Sequence, residues 1–400
     1  MEQQRSIICI GTPAWEGNYV KSTVQLLSEL AADYRILYVD YQYTMKDIVT
    51  TLLGKQHAPL RRMAGIDQRL REIRVNDTAS VHVLTPPPVI PVNWITDRAR
   101  YNAVQSLNAK IIGASIRSAM KQLQMEHPIV INAFNPSFGL PLAGRLDESL
   151  LVYYCYDNIS AAPWLGKHGG ALEEEFVRRA DLIVTSSEAL TERFPLHPEK
   201  TVVVKNGVDF ELMKNGFSSV RNPQRPVAGY IGSIDERLDY ELLDTVISRS
   251  PETTFRFIGR CTQQAFAERL LQNPNVELLG PQSPASLPDF LRDMDVCLIP
   301  FALNDFNRSI YPLKVNEYLA AGKPVVMTRF AHLPEFGGIV LTADSAASFH
   351  ALMEQALASD SHDLQVLRQE FARYQSWTER AKDFSNALKY ALQKQRVTGA

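Results

Sequence analysis

The stretch richest in chemistry runs from Asp295 to Val326, DVCLIPFALNDFNRSIYPLKVNEYLAAGKPVV. It reads as strand, long loop, helix, turn and strand. Pro312 suits a first helical position, where a missing N–H costs nothing. Gly322 suits the helix end, and Pro324 stops any extension. Lys314 and Glu317 are three apart and share a helix face, while Val315 and Leu319 can pack against a sheet. A cation in the first turn opposes the helix dipole, at a cost of roughly 0.3–1 kcal/mol if exposed. A phosphate or diphosphate held between Lys314 and the free helix N–H groups would reverse that sign. Glu317, one turn further in, could accept hydrogen bonds from ribose hydroxyls. The competing reading is a surface Lys314–Glu317 pair worth roughly 0.3 kcal/mol.

Three more loops carry candidates. In GSIDERLDYELL, Gly232 to Leu243, Ser233 and Glu236 fit a capping box, and Leu238, Leu242 and Leu243 fit an apolar helix face. Arg237 could reach the same diphosphate, or pair with Asp235 or Asp239. In GTPAWEGNYVK, Gly11 and Gly17 permit close backbone approach after a first strand. The loop is not GxGxxG, so a dinucleotide oxidoreductase loses its main support. In YYCYDNISAAPW, Asp157 follows a buried strand and could orient a sugar hydroxyl or receive a proton. It could equally cap a turn with Asn158. Asp293-Met294-Asp295 mimics an Asp-x-Asp metal motif, but it stands at the entry of an apolar strand. The eight histidines form no HExxH-like cluster, and there is no GxSxG elbow. No metal ligand is expected.

Elements must position these loops. Short runs that are continuously apolar recur from Ser6, Arg35, Val81, Ile129, Leu150, Leu182 and Thr201, as parallel strands buried on both faces require. Helical stretches separate them. From Asn18, for example, Val20, Val24, Leu27 and Ala31 fall on one face. Residues 206–226 lose the period and read as a linker. A second series of runs starts at Pro226, Thr254, Val276, Asp295, Pro324 and Gly338, and a helical tail begins near Trp377. The expected fold is α/β: two doubly wound Rossmann-like domains facing each other across a cleft, with ligands beyond the strands' carboxyl ends. The boundaries are 1–207, 208–376 and a tail at 377–400.

Composition agrees with a folded chain of this size. Four hundred residues exceed one ordinary core. With 45% hydrophobic and 22% charged residues, disorder and small disulfide scaffolds are excluded. A net charge of -2 offers no global field for nucleic acid. Cys9, Cys155, Cys261 and Cys297 form no CxxC pair, and three lie in strand-like runs, which suits a reduced, cytoplasmic setting. The N-terminus has no signal-peptide pattern, and no apolar run approaches the roughly 20 residues of a spanning helix.

Four segments together resemble the retaining, two-domain (GT-B fold) glycosyltransferases of family four, the group 1 type. They are RRADLIVTSSEAL from Arg178, NGVD from Asn206, GSIDERLDYELL from Gly232 and PLKVNEYLAAGKPVV from Pro312. The resemblance implies a nucleotide-diphosphate sugar donor bound mainly by the second domain and no other cofactor. It implies a glycan or lipid-linked acceptor bound mainly by the first domain, and a C-terminal helix packing back toward that domain. It implies a catalytic set of Asp157, Arg237 and Lys314, and donor binding by Gly17, Gly232, Ser233, Ser309 and Glu317. Three positions depart from the family. Ser309 stands where the first glutamate of a Glu-x7-Glu pattern is expected. Tyr156 replaces the histidine before Asp157, and Ser233 replaces an arginine. The activity implied is retaining, metal-independent transfer in polysaccharide or glycoconjugate synthesis. A sugar-nucleotide epimerase and a non-catalytic sugar-nucleotide or glycan-binding protein remain open beside it.

Residues 46–74 hold seven basic residues (Lys46, Lys55, Arg61, Arg62, Arg69, Arg71 and Arg74) against three acids, a net of +4. Leu52, Leu53, Leu60, Met63 and Ile66 are interleaved. A basic, partly apolar lip would suit a lipid-linked acceptor at the inner face of an anionic membrane. A solvated helical face and loop is the other reading.

Overall fold

The computed structural model describes residues 4–16, 21–159, 167–219, 224–308 and 310–398. The chain divides into two compact units, Met1–Lys205 with Ala381–Ala400, and Asn206–Arg380.

The first unit is built on eight strands: β1 (Ser6–Gly11), β2 (Arg35–Val39), β3 (Leu70–Arg74), β4 (Ser80–Leu84), β5 (Ile129–Ala133), β6 (Leu150–Cys155), β7 (Leu182–Thr185) and β8 (Thr201–Val203). Their order is β3-β4-β2-β1-β5-β6-β7-β8, and only β3 runs antiparallel to its neighbour. β1 lies between β2 and β5, so the winding reverses there, as in other doubly wound sheets. Its side chains Ile7, Ile8 and Ile10 have no exposed surface. Helices such as Ser22–Leu30, Arg98–Leu123 and Gly169–Arg179 bury apolar residues of their own, including Leu27, Ile112 and Phe176.

β3 corrects the reading of residues 46–74 as helical face and loop. The segment forms the Met45–Leu52 helix, the one-turn Leu60–Met63 helix and then the edge strand. LREIR pairs Leu70 with Leu84 and Ile73 with Val81. Its three charges hide the strand in a sequence window. They are tolerated because an edge strand needs a partner on one side only.

The expected helical tail is one helix, Trp377–Thr398. From Ala381 onward it belongs to the first unit. Buried Phe384 meets Tyr154 edge-on with ring centroids 5.5 Å apart, and Ser385 shares a 2.8 Å hydroxyl hydrogen bond with Tyr34.

The second unit holds β9 (Val227–Ile231), β10 (Thr254–Ile258), β11 (Val276–Leu278), β12 (Val296–Ile299), β13 (Val325–Thr328) and β14 (Leu341–Ala343). The order is β11-β10-β9-β12-β13-β14, all parallel. The start of the expected linker is instead part of this unit's core. Val208, Phe210 and Met213 are buried in it. Asp209 caps the Phe210–Met213 helix by accepting from the Leu212 N–H at 3.1 Å. Val208 bonds both ways with the 375–377 backbone, at 2.9 and 3.0 Å. Four helical residues are too few to show a period, so sequence alone reads them as loop.

Phe384→Ala should remove about 3–5 kcal/mol from the first unit, the usual result of emptying a buried aromatic site. Scanning calorimetry should show that unit's transition falling while the transition of the second unit stays in place.

Candidate active site

The loops beyond β9 and β12 are tied together at the carboxyl end of the second sheet. Gly232 leads out of β9, its N–H donating to the Ile258 carbonyl at 2.8 Å. A Cβ on Gly232 would lie 2.5 Å from the Tyr230 hydroxyl oxygen. Gly259, with φ +150°, brings its backbone so near that a Cβ there would sit 1.9 Å from the Gly232 oxygen. The turn is therefore all backbone, and Tyr230 pins it by donating to the Ser233 carbonyl at 3.1 Å.

The expected Ser233–Glu236 capping box does not form. The helix starts later, at Tyr240, and its N-cap is Asp239, which accepts from the Leu242 N–H at 2.9 Å. Residues 233–238 instead make bridges, Ile234 with Cys261 and Leu238 with Phe301. Burying Ile234 and Leu238 in this extended form outweighs one extra helical turn.

Arg237 sits in that extended segment. Its carbonyl accepts from the Ala302 N–H at 2.8 Å and from the Asn307 amide at 2.9 Å. Asn307, fully buried, also donates to the Ala302 carbonyl at 2.8 Å. The guanidinium lies over the Phe301 ring, 5.8 Å from its centroid. Its Nε and Nη2 donate to the two Asp235 carboxylate oxygens at 2.8 and 2.6 Å. Burial works against the Arg237 charge, but the hydrogen bonds and charge of Asp235 outweigh it and hold the group above its ordinary value.

The Leu313–Ala320 helix contributes the other two candidates. Pro312 is its N-cap, one position earlier than expected, and no side chain caps this end. Val315 and Leu319 are fully buried, and Gly322 ends the helix at φ +73°. The Tyr318 hydroxyl accepts from the Ile231 N–H at 2.7 Å, fixing the helix to the last residue of β9. Lys314 Nζ donates to Glu317 Oε2 at 2.8 Å, and the Glu317 side chain is only 15% exposed. The structure thus brings Gly232, Ser233, Arg237, Lys314 and Glu317 to one end of one sheet. Each of the two cations already holds a carboxylate. Gly17 and Ser309 lie outside the described residues.

Asp157 belongs to the first unit, just beyond β6. Its Oδ1 accepts from the Asn158 N–H at 2.7 Å, the turn cap that its sequence allowed. Tyr156 is packed against Phe134 and Tyr154, at centroid distances of 5.0 and 5.4 Å. Burial drives its hydroxyl well above the ordinary range, with hydrogen bonds to Thr12 and Thr23 opposing. A buried phenol of this kind is no proton acceptor at neutral pH.

A buried polar network at the carboxyl ends of β1, β2 and β5 escaped the sequence reading. The Asn135 amide donates to Gln42 Oε1 at 2.6 Å, and Gln42 donates to the Asp40 carbonyl at 2.7 Å. Asn132 donates to the Asn135 carbonyl at 2.8 Å. Phe134 between them has φ +55°, a conformation that costs a non-glycine residue about 1–3 kcal/mol. Asp40, 4% exposed, accepts from the Trp15 N–H at 2.8 Å. A signal existed: Asp40 directly follows the apolar run RILYV. Asp293 and Asp295 are structural, Asp295 accepting from the Val227 N–H at 2.9 Å and Asp293 standing 3.8 Å from Arg256. Among the described residues, no three His, Cys, Asp or Glu side chains gather as a metal site.

Residues 225–359, which contain every candidate of the second sheet, match the family described as Glycosyl transferases group 1. The whole chain superposes on solved structures of the GT-B fold. Sucrose-phosphate synthase from Thermosynechococcus elongatus gives a TM-score of 0.67 at 15% identity, over 99% of this chain and 100% of that one. The chain has the GT-B fold. Anabaena HepE, solved in complex with UDP, gives a TM-score of 0.63 at 15% identity, over 96% of this chain and 100% of HepE. TuaH of Bacillus subtilis (strain 168), named for teichuronic acid biosynthesis, is 28% identical over 268 residues. That is 60% of this chain and 67% of TuaH.

Asp40 gives a pH test. Burial raises its carboxyl above the ordinary value, although N–H groups of Trp15 and Tyr41 oppose the shift. The fold therefore disfavours the ionised form, and stability falls as pH rises from the unfolded value, about 3.9, through the raised one. Asp40→Asn cannot ionise but keeps an oxygen for the Trp15 N–H. Its stability relative to the parent should rise with pH across that window and then level off. Urea unfolding from about pH 3.5 to 7 checks this, and a flat difference contradicts it.

Proposed function

We propose that the protein is a glycosyltransferase that moves a sugar, with retention of configuration and without a metal, from a nucleoside-diphosphate donor. The acceptor is a glycan or lipid-linked glycan of cell-surface polysaccharide synthesis, assembled on the cytoplasmic side. The carrying observation is the grouping of Arg237, Lys314 and Glu317 at the carboxyl end of the second sheet, within the family match. HepE with bound UDP and the naming of TuaH support the donor class and the polysaccharide setting.

In this reading the donor diphosphate takes Lys314 from Glu317 and lies against the uncapped start of the Leu313–Ala320 helix. Glu317, released, accepts from the ribose hydroxyls. Arg237, held in place by Asn307 and Asp235, meets the charge that grows on the leaving diphosphate. Tyr156 cannot take the acceptor proton, so the leaving diphosphate oxygen does. Asp157 orients the acceptor bound by the first unit.

A thermal-shift series with uridine, guanosine, thymidine and adenosine diphosphate sugars identifies the donor. With it, Lys314→Ala and Arg237→Ala should each lower turnover by about 10²–10³-fold, the usual effect of losing one charge-stabilising donor. Glu317→Ala should mainly raise the donor dissociation constant, by about tenfold or more. Near-normal turnover in both cation variants would defeat the assignment. Donor conversion without an acceptor would identify an epimerase, and binding without any nucleotide release a non-catalytic protein.

A further inference from the structure

The Met45–Leu52 helix buries none of its residues. Met45, Val49, Leu52 and Leu53, at spacings i, i+4, i+7 and i+8, form one stripe, each more than half exposed and Leu52 reaching 73%. The helix is held by local bonds instead. The Thr44 N–H donates to Asp47 Oδ2 at 2.6 Å, and Gln56 donates to Asp47 Oδ1 at 2.8 Å. Its start is stitched to buried Val89, the Met45 N–H donating to the Val89 carbonyl at 2.9 Å. Five residues beyond Val89 stands Trp94, 75% exposed, its indole N–H donating to the Pro91 carbonyl at 3.1 Å.

The charges beside this stripe are positive. Lys46, Lys55 and Arg61 are exposed. Among the described residues, Lys46 and Lys55 have no carboxylate within ion-pair distance, while Arg61 pairs with Asp67 at 3.1 Å. Asp47 is occupied by the helix cap. The structure also occupies four more cations of the basic lip, pairing Arg62 with Glu16 at 3.4 Å and Arg74 with Asp77 at 3.7 Å. Arg71 turns to Glu16 at 2.9 Å, and Arg69 donates to the backbone carbonyls of Arg62 and Met63 at 3.2 and 2.8 Å. What remains is an apolar stripe edged by cations. A second copy docked by two-fold symmetry would set like charges against like. An anionic bilayer satisfies both features at once: acyl chains take the stripe, and headgroup phosphates take the lysines. An exposed tryptophan suits the headgroup level. Among the described residues, no helix is long and apolar enough to cross a membrane.

We infer that this face lies in the headgroup–acyl boundary of an anionic bilayer, with the Met45–Leu52 helix in the membrane plane and Trp94 as a second anchor. The helix begins five residues after Asp40, at the carboxyl end of β2. A lipid-borne acceptor would thus reach the sheet end that carries Asp40, Asn135 and Asp157. This last point rests on the proposed function; the docking itself does not.

The full chain should sediment with vesicles of phosphatidylglycerol and phosphatidylcholine, and much less with phosphatidylcholine alone. Leu52→Asp combined with Leu53→Asp should lower the partition coefficient at least about tenfold. Lys46→Glu combined with Lys55→Glu should do the same on the anionic vesicles and abolish their salt dependence. Donor-induced thermal shifts should be unchanged in both, showing the fold intact. Equal vesicle binding by the Asp variant and the parent would overturn the inference. So would a parent that forms a dimer without lipid, if the Asp variant is a monomer. An enzyme that transfers sugar yet ignores vesicles refutes the docking alone. One that binds vesicles yet transfers nothing refutes the proposed function alone.

Discussion

Covering a parallel sheet on both faces leaves few places where a charged side chain can stand. In β1, β6 and β12 every described side chain after the first residue is buried. A lone charge there would face a desolvation cost of several kcal/mol. Polar function is driven to the strand ends, where the ladder stops and water returns. The candidates obey this rule in each unit. Asp40, Asn135 and Asp157 stand just beyond β2, β5 and β6, and Gly232 and Arg237 stand beyond β9. The same constraint explains the all-backbone turn at Gly232 and Gly259, since two strand ends approach too closely there for any Cβ.

The candidate site also keeps its cations partnered. Arg237 is chelated by Asp235, and Lys314 is bound to Glu317. In the first unit, Arg62 and Arg71 share Glu16, whose carboxyl burial would raise but which the two arginines hold below the ordinary range. A half-buried cation without a partner is costly, and each of these carboxylates offsets that cost. The ion pair that the structure holds is one reading of the Lys314–Glu317 spacing, and the phosphate site of the proposed function is the other. Choosing between them from the helix alone was never open.

Most of the strands were legible because their signal is local. IVINA and LLVYYC are continuous apolar runs, and only a doubly covered strand buries such a run. The Leu313–Ala320 helix was legible from Pro312, Gly322 and Pro324, with a shift of one residue at its start. What escaped depended on tertiary partners. LREIR is a strand because β4 offers its edge. Ser233 and Glu236 have the right spacing for a cap, but Phe301 and Cys261 hold that segment extended. Val208 and Phe210 look like linker until the backbone near Trp377 is folded beside them. Asn307 carries no sequence mark of its importance, because its role is to reach a carbonyl 70 residues away.

The sheet margins have a further consequence. β8, β11 and β14 are three residues each, and β3 is longer but carries Arg71, Glu72 and Arg74. A strand from another molecule needs a long, flat, uncharged border to add itself to, and these borders are short or charged. Crowded near a surface at high local concentration, such copies would resist the edge-to-edge stacking that begins amyloid and other β-aggregates.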